Sequence, residues 1–344
     1  MKDVTGWGCC DSFEPTLDDR GCLYYIEQRG GKVCGLCKKT DIYRCKNEHS
    51  KLPIPLSHSS VQDFCTCHKL FDIRHIQGIQ VQNKHCSNPV KEGALWDRAL
   101  QYALGNTEVD LQSVIEDYDI DEISVQKIKA LYRAYKELGI EVQSGYELQA
   151  KIDLKLDFPQ GWVWGTGEPI ELAVRGFYDR KYPDGFVENK LSGRPDNYLN
   201  PFFISSQIAT YFLADPKNEY CIMEVVRNPG LKPSRDEQED YGLYGDRVYK
   251  DVIGRPSYYF IGFEKAKRTY GKKYYRTEFD LEEIRSRYLH IFREIHEASM
   301  LGGYYRNDRA CNNILPGITC EYIGVCRYGK VSDTVYEMRR KDIE

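Results

Sequence analysis

Two strand-like segments joined by a tight turn constrain the fold of this chain more than any other feature. The first is an apolar run over residues 172–182, and the second covers residues 186–191. The turn between them, Pro183-Asp184-Gly185, combines a residue of fixed φ with a glycine, which is typical of a hairpin. The sequence therefore predicts two antiparallel neighbours. The residues of interest on them are Gly176, Asp179, Glu188 and Lys190.

The spacing of the polar residues predicts a cluster on one face of this hairpin. If the loop has four residues, Lys181 pairs with Phe186, and Asp179 then lies opposite Glu188. Side chains alternate across a strand, so Glu188 and Lys190 point the same way. Cross-strand neighbours have Cβ atoms about 4.5–5.5 Å apart, and two carboxylates at that distance repel each other unless a cation lies between them. Oxygen ligands with open positions suit Mg²⁺ or Mn²⁺.

Such a cation would lower the pKa of a bound water and polarise a phosphate, as phosphodiester hydrolysis requires. Lys190 would orient that water or offset charge that develops on the phosphate. The alternative interpretation is a solvated hairpin with surface ion pairs, which the Glu-x-Lys pattern alone does not exclude.

Charge and hydropathy exclude several classes of protein. The chain has 344 residues and a net charge of −4, so any nucleic-acid surface must be a local basic stripe. No apolar run approaches the roughly 18 residues of a membrane span, and the N-terminus has no signal-like core. We therefore expect a cytoplasmic protein without a membrane partner, in the host cytoplasm if the source is viral.

Periodicity indicates an α/β (α+β) fold with a mostly antiparallel sheet. An acidic connection is predicted over Glu116–Asp121. The predicted helices cover 93–105, 122–138, Ser205–Leu213 and Phe279–Leu301, with a helix start at Ser57-His58-Ser59-Ser60. The predicted strands cover Glu141–Ile152, Trp162–Trp164, Leu172–Tyr182, Phe186–Leu191 and Tyr220–Val226.

The hairpin and the helix that follows it resemble the RecB-like branch of the PD-(D/E)XK nuclease superfamily. In that family a Gly-x-x-Asp strand is followed by an (Asp/Glu)-x-Lys strand and then by a helix with Gln and, four residues on, Tyr. The resemblance implies a restriction-endonuclease-like mixed sheet flanked by helices. It also implies that the hairpin acids bind the metal, that the lysine is catalytic, and that the helix contacts the site or the DNA. The matching residues are Gly176, Asp179, Glu188, Lys190, Gln207 and Tyr211.

The chain departs from this family at one position. Many relatives carry a further metal-binding His on an early helix, a few residues after a Gly, where this chain has Gly93-Ala94-Leu95-Trp96. Either this branch lacks the His, or an acid such as Asp97 or Glu147 replaces it. His85 and His68 lack the family setting. The departure supports a second hypothesis, that of a metal-stabilised DNA-binding or assembly module with weak or no nuclease activity.

The thirteen cysteines are too many for a signal-free chain with ordinary thiols alone, and they suggest thiolate metal ligands. A subset of the same superfamily carries a 4Fe-4S cluster, with one Cys from a helix before the nuclease core and three from the C-terminus. This subset includes the AddB nuclease, a CRISPR-associated nuclease family, exonuclease V and phage homologues. A zinc site and buried free thiols remain alternatives. The resemblance implies the ligands Cys67, with Cys65 as competitor, Cys311, Cys320 and Cys326.

A separate cysteine-rich segment over residues 1–56 is too poor in apolar periodicity to fold without help. A Cys-x-x-Cys knuckle followed by a further Cys and a His predicts a tetrahedral Zn²⁺ site. A flexible arm is the alternative. The predicted ligands are Cys34, Cys37, Cys45 and His49, and the residues that would replace or extend them are Cys9, Cys10 and Cys22.

A stretch of cations interleaved with tyrosines predicts contacts with DNA phosphates and unpaired bases. No element resembles a major-groove recognition helix. The chain also lacks the phosphate-binding loop of helicases, so unwinding would need a helicase or a recombination or CRISPR-type partner. A solvated basic hairpin is the alternative for this stretch. The predicted contacts in or near it are Lys267, Arg268, Lys272 and Lys273, and those near the hairpin strands in sequence are Arg194, Tyr198 and Arg227.

The leading interpretation is a metal-dependent DNA exonuclease acting on DNA ends or single strands, with a structural 4Fe-4S cluster. The predicted organisation is a zinc module over 1–56, a nuclease domain over 57–330 and a charged tail over 331–344. An endonuclease or nickase on the same fold is the further alternative.

Overall fold

The computed structural model describes residues 25–28, 31–34, 55–157, 171–199, 201–234, 239–300, 304–313, 319–329 and 331–338. The first half of this part contains, in order, β1 (Tyr25–Gln28), β2 (Gly31–Cys34), α1 (His58–Thr66), α2 (His68–Phe71), β3 (Ile79–Val81), α3 (Asn88–Ala103), α4 (Leu111–Tyr118), α5 (Glu122–Glu137) and β4 (Glu147–Asp157).

The second half begins with the predicted hairpin. Its elements are β5 (Glu171–Lys181), β6 (Gly185–Ser192), α6 (Asp196–Leu199), α7 (Pro201–Ala214), β7 (Tyr220–Arg227), α8 (Tyr241–Gly254), α9 (Pro256–Tyr259), β8 (Lys272–Tyr275), α10 (Leu281–Met300), α11 (Asp308–Asn313), α12 (Ile323–Tyr328) and β9 (Tyr336–Met338).

Among the described residues, five strands form one mixed sheet in the order β4-β5-β6-β7-β8. The pairs β4–β5, β5–β6 and β7–β8 are antiparallel, whereas β6 and β7 are parallel. A parallel pair needs a crossover connection, which α7 provides. The α/β class expected from the sequence is therefore confirmed, and the parallel pair at the centre is the feature that the sequence pattern did not reveal.

Helices cover both faces of this sheet. On one face α1, α7 and α10 pack against β4, β5 and β7 through residues such as Val61, Leu154, Val174, Ala209 and Ile291. On the other face α3, α5 and α8 pack at the β6–β7 end. The first face is the one that carries the site described below.

Most of the predicted helices and strands are present, with shifted ends. The predicted connection over Glu116–Asp121 is wrong, because α4 continues to Tyr118 from an N-cap at Asp110. Strand β4 begins later than expected and continues to Asp157. The predicted strand Trp162–Trp164 lies outside the described residues. Within the described part of the chain, none of the helices combines the length and apolarity that crossing a lipid bilayer would require.

Candidate active site and cysteine site

The predicted hairpin is present between β5 and β6. Lys181 pairs with Phe186, as the loop length predicts, and Arg180 pairs with Val187. The backbone ladder ends there. The next pair, which the sequence predicts to be the two acids directly opposite each other, is therefore not formed as a ladder pair.

Beyond the hairpin, another segment of the chain occupies the edge of β5. The amide of Leu56 donates to the carbonyl of Ala173 at 2.9 Å, and the carbonyl of Leu56 accepts from the amide of Arg175 at 2.7 Å. Strands β5 and β6 thus diverge, and the start of α1 enters between them. The residues that the sequence identified lie where the strands separate.

Asp179 lies at this point of divergence. Its Oδ2 accepts a hydrogen bond of 2.7 Å from the backbone amide of Asn189, so its side chain replaces the missing ladder bond to β6. The side chain of Gln149 also hydrogen-bonds Asp179. These bonds fix the carboxylate of Asp179 against the strand that carries the second acid.

Glu188 is buried, with 2% of its surface exposed. Its Oε1 accepts from Nε2 of Gln207 at 2.8 Å and from the ammonium group of Lys190. Its Oε2 is buried and has no hydrogen-bond partner among the described residues. Buried carboxylate oxygens are normally satisfied, so this atom is a candidate contact for a bound water or cation.

The pKa values show how strongly the two acids affect each other. Burial raises the pKa of Glu188 to about 7, and the charge of Asp179 adds to the effect. Burial also raises the pKa of Asp179. Burial alone would lower the pKa of Lys190, but the charges of Glu188 and Asp179 outweigh it and raise that pKa. Lys190 is therefore charged at neutral pH. Its single positive charge offsets only part of the negative charge of the two carboxylates.

This donor set fits a divalent cation. Two carboxylates are coupled at one place, and one carboxylate oxygen is buried without a partner. Hard cations such as Mg²⁺ and Mn²⁺ take oxygen ligands of this kind. A cation there would satisfy the unpartnered oxygen and remove the repulsion that raises the pKa of Glu188.

Helix α7 brings both of its predicted residues to the site. Nε2 of Gln207 lies 2.8 Å from Oε1 of Glu188 and 2.8 Å from the hydroxyl of Tyr211. A Cβ at Gly176 would lie 3.7 Å from the Tyr211 ring, in ordinary contact. Gly176, Gln207 and Tyr211 therefore form the wall of the site on the α7 side.

The three candidates on the early helix and on β4, Trp96, Asp97 and Glu147, differ in their surroundings. Trp96 is 1% exposed and packs edge-on against Tyr135 in the helical core. The next residue, Asp97, faces the site, because burial and then the charge of Asp179 raise its pKa to about 6. Glu147 is exposed at the start of β4. Asp97 is thus the acid that the early helix brings towards the hairpin.

Two further residues near the site carry no signal in the sequence. Gln149 has a φ of +52°, a left-handed conformation that is strained for this residue type, in the middle of β4. His58, at the start of α1, lies 2.7 Å from the hydroxyl of Ser206 through its Nε2. Burial lowers the pKa of His58 to about 4, and the charges of Lys190 and Arg287 lower it further. This histidine is therefore neutral near pH 7 and lies close to Lys190.

The cysteine site contains the four predicted thiols. Cys67 is buried between α1 and α2, whereas its competitor Cys65 is exposed. The sulfur of Cys67 accepts from the amide of Asn307 at 3.3 Å. The amide of Cys320 donates to the carbonyl of Cys311 at 3.0 Å. The first bond connects the segment over residues 304–313 to the junction of α1 and α2. The second connects the segment over residues 319–329 to the first segment.

Electrostatic coupling shows that the thiols are neighbours. Burial raises the pKa of the Cys320 thiol, and the neighbouring thiols raise it further. The same two causes raise the pKa of Cys311. The thiols whose charges contribute to these two raised pKa values are Cys67, Cys311 and Cys326.

Neither the carboxylate site nor the cysteine site has its side chains gathered closely around one position. Within the described ranges, no three or more His, Cys, Asp or Glu side chains lie close enough together to ligate one metal ion as they stand. In the carboxylate site, Asp97 therefore stands back from the two hairpin acids. In the cysteine site, the sulfurs are near one another without forming a tight tetrahedron.

The predicted zinc module falls mostly outside the described residues. Cys34 ends β2, which pairs with β1 in a short antiparallel hairpin. Cys37, Cys45 and His49 lie outside the described residues, as do Cys9, Cys10 and Cys22. The zinc site stays a prediction.

The predicted basic stretch is largely neutralised by its neighbours. Lys267 pairs with Glu264 at 2.7 Å, and Arg268 pairs with a glutamate before β4. The ammonium groups of Lys272 and Lys273 lie 4.8 and 3.7 Å from the centres of tyrosine rings. These cations therefore have local partners, which weakens the expectation that they form the main DNA contact.

The two predicted contacts after the hairpin lie closer to the acids. Arg194 is exposed in the turn that follows β6. Tyr198 is half-buried and close enough to Lys190 to contribute to its raised pKa.

Comparison with protein-family models, with curated proteins and with solved structures gives no match for this chain.

Proposed function

We propose that this protein is a metal-dependent nuclease that hydrolyses phosphodiester bonds in DNA. The observation that carries the proposal is the state of Glu188, a buried carboxylate with one unpartnered oxygen, coupled to Asp179 and bonded to Lys190. An ion pair that served only to stabilise the fold would need no second acid and would leave no buried oxygen unsatisfied.

The residues of the site have separable tasks in this reaction. A divalent cation, when bound by the two acids, would supply an activated water and polarise the scissile phosphate. Lys190 remains protonated and would offset the negative charge that develops on the phosphate. Gln207 holds Oε1 of Glu188 and so directs Oε2 towards the cation.

The order of the elements supports the proposed relation to the RecB-like nucleases. Strand β5 carries Gly176 and Asp179, strand β6 carries Glu188 and Lys190, and the helix after them contacts the acids. We further propose a restriction-endonuclease-like core over the described part of residues 57–330. The absence of matches to known proteins leaves this relation resting on the motif and its geometry.

We also propose that the four coupled cysteines bind a 4Fe-4S cluster with a structural role. A zinc ion would draw all four sulfurs to about 2.3 Å from one centre. The resemblance to the cluster-containing nucleases, with one thiol before the core and three near the C-terminus, favours a 4Fe-4S cluster, which takes one thiolate per iron. An anaerobically purified sample should be brown with broad visible absorption, and a colourless sample with stoichiometric zinc would contradict the assignment.

Hydrolysis of labelled single-stranded and duplex DNA with Mn²⁺ or Mg²⁺ tests the nuclease proposal. We expect the wild type to degrade DNA and Lys190→Ala to be inactive while it keeps its melting temperature within a few degrees. Equal degradation by both proteins would refute the proposed catalytic site. A circular single strand distinguishes the two modes, because an exonuclease cannot begin without an end.

The open arrangement of the acids supports a second candidate, a DNA-binding or assembly module without activity. It predicts DNA binding without hydrolysis at any metal concentration. The same assay therefore decides between the two candidates, provided that binding is measured in parallel.

A further inference from the structure

Strand β4 forms one edge of the five-stranded sheet. It is eleven residues long, Glu147–Asp157, and pairs with β5 on one side. Among the described residues, no strand or isolated bridge pairs with its other side. An edge of this length presents a row of outward-pointing amides and carbonyls that can pair with a further strand. The outer edge of β4 is therefore a candidate interaction surface.

The two faces of β4 have different surroundings. Ile152, Leu154 and Leu156 are buried under the helices that cover one face. The start of the strand is irregular, because Gln149 has a φ of +52° and is skipped in the register with β5. In the regular part that follows, the residues that alternate with the buried ones are all exposed and charged, and their signs alternate along the strand. These residues are Lys151, Asp153, Lys155 and Asp157.

The order of these signs matches an antiparallel strand of the same sequence. When a strand pairs with a second copy of itself about a two-fold axis, the residues before the central one face the residues after it. With Leu154 at the centre, Lys151 faces Asp157 of the second copy, and Asp153 faces Lys155. Each contact occurs twice by symmetry, which gives four pairs of opposite charge and no pair of like charge. Opposite charges in such cross-strand positions stabilise the pairing, and like charges destabilise it.

Other registers that keep the same faces together are less favourable. With Asp153 at the centre, it faces itself and Lys151 faces Lys155. With Lys155 at the centre, it faces itself and Asp153 faces Asp157. A register centred on Ile152 makes opposite pairs only between Lys151 and Asp153. The charge pattern therefore favours one register, and a self-pairing strand needs such a preference because a slip would misplace its side chains.

The opposite edge of the sheet lacks this pattern. Strand β8 has only four residues, and its exposed charges, Lys272 and Lys273, have the same sign. Charges of one sign keep two copies of an edge apart, which is a usual protection of such strands. On β4, Asp153 has an ion-pair partner in its own chain, Arg175 at 3.9 Å. Both side chains are more than half exposed, so this contact leaves Asp153 accessible to a second copy.

We propose that this protein forms a symmetric dimer in which the β4 strands of two copies pair antiparallel about Leu154. Two sheets of five strands then join into one sheet of ten. The backbone hydrogen bonds supply the attraction, and the charges select the register and the partner. The proposal is independent of the proposed nuclease function, because none of the four charged residues belongs to the carboxylate site or the cysteine site.

Sedimentation equilibrium of the full chain at micromolar concentration tests the dimer. The wild type should have twice the mass of one chain. An acidic variant, Lys151→Glu with Lys155→Glu, places like charges opposite each other in every pair. We expect it to raise the Kd of the dimer by about tenfold or more. A basic variant, Asp153→Lys with Asp157→Lys, should have the same effect.

An equal mixture of the acidic and the basic variant should restore the dimer, because each strand then faces the opposite charge. Recovery in the mixture also shows that both variants are folded, so that loss of structure does not explain their separate dissociation. A mixture that stays monomeric overturns the proposal, and so does a wild type that sediments as a monomer. If such a monomer has β4 amides protected from hydrogen exchange, residues of the same chain cover the edge.

A control variant separates the strand from the net charge of the protein. Lys129→Glu with Lys250→Glu makes the same change in net charge at exposed lysines on α5 and α8. This control should remain a dimer. If it dissociates as the acidic variant does, the effect is one of total charge and the proposal is wrong. If the acidic and the basic variant both remain dimers, the interface lies elsewhere on the molecule and the proposal is equally wrong.

Discussion

The carboxylate site and the cysteine site are assembled in opposite ways. The first takes its acids and its lysine from two paired strands, with support from the next helix, all within residues 176–211. The second joins Cys67 to thiols near the C-terminus, of which Cys311 and Cys326 lie on helices of six residues that are too short to be stable alone. The carboxylates therefore depend on a sheet that forms without them, whereas we expect the C-terminal segments to depend on the group that the thiols are proposed to bind.

The largest effect that this comparison predicts is a loss of activity without a loss of fold. Asp179→Asn and Glu188→Gln should each reduce the rate of DNA hydrolysis by about a thousandfold or more, because each removes a ligand of the cation. Their melting temperatures without metal should stay equal to that of wild type or rise, since a buried charge is removed. Rate measurements at saturating Mn²⁺ and thermal denaturation check this, and a melting temperature lowered by ten degrees would contradict the comparison.

Substitutions in the cysteine site should instead lower the stability of the fold. Cys67→Ser or Cys326→Ser should lower the free energy of unfolding by about 3 kcal/mol, which corresponds to roughly 10 °C for a chain of this size. Cys65→Ser is the matched control, because Cys65 is exposed and lies two residues from a ligand. Equal melting temperatures for Cys67→Ser and Cys65→Ser would show that the thiols have no structural role.

The dependence on pH sharpens the comparison, because only the carboxylate site titrates near neutrality. The pKa values of Glu188 and Asp97 are raised to about 7 and about 6, so the protonated acids stabilise the metal-free fold at low pH. That contribution is complete below the unfolded values near 4 and is lost as the pH rises through 6 to 7. Mn²⁺ needs the ionised acids, so its stabilising effect should grow over the same range.

Asp97→Asn tests this account. It should make the metal-free protein about 2 kcal/mol more stable than wild type at pH 8 and leave it unchanged at pH 4. Thermal denaturation at both values, with and without Mn²⁺, provides the measurement. Parallel stability curves for the two proteins would mean that Asp97 is not charged within the site.

The smallest predicted effect concerns the strained residue beside Asp179. Gln149→Gly should relieve the left-handed conformation and raise stability by about 1 kcal/mol or less. It should also lower activity several-fold, because the hydrogen bond to Asp179 is lost. Gln149→Asn keeps an amide and tolerates the same backbone conformation, so it should retain more activity than the glycine variant. A glycine variant with full activity would show that Gln149 does not position Asp179.

Local spacing explains what could be predicted from the sequence. The pairing of Lys181 with Phe186 follows from the length of one turn, and the approach of Gln207 to Glu188 follows from a helix that directly succeeds the strand. The role of Asp97 could not be predicted in the same way. Which side of α3 faces the sheet is decided by the packing of Trp96 into a core built from distant helices.

Distant partners explain the remaining differences. The divergence of β5 and β6 depends on Leu56, more than a hundred residues away from either strand. The sequence predicted that the cations of the basic stretch are free to contact DNA, because Glu141, the acidic partner of Arg268, is remote in sequence. Arg227 was a candidate contact from its place in the sequence, but its register could not be predicted, because it pairs with Ser192 across a parallel pair that the sequence pattern did not reveal.

Helix α1 lies next to both sites. His58 at its first residue stands beside Lys190, and Cys67 follows its last residue. Its nine residues span only about 13 Å, so helix α1 is a short, rigid connection between the carboxylate site and the cysteine site. If the thiols bind the proposed cluster and the acids the proposed cation, loss of the cluster by oxidation or iron starvation would displace His58 and with it one wall of the carboxylate site, which would link iron supply to the proposed DNA hydrolysis.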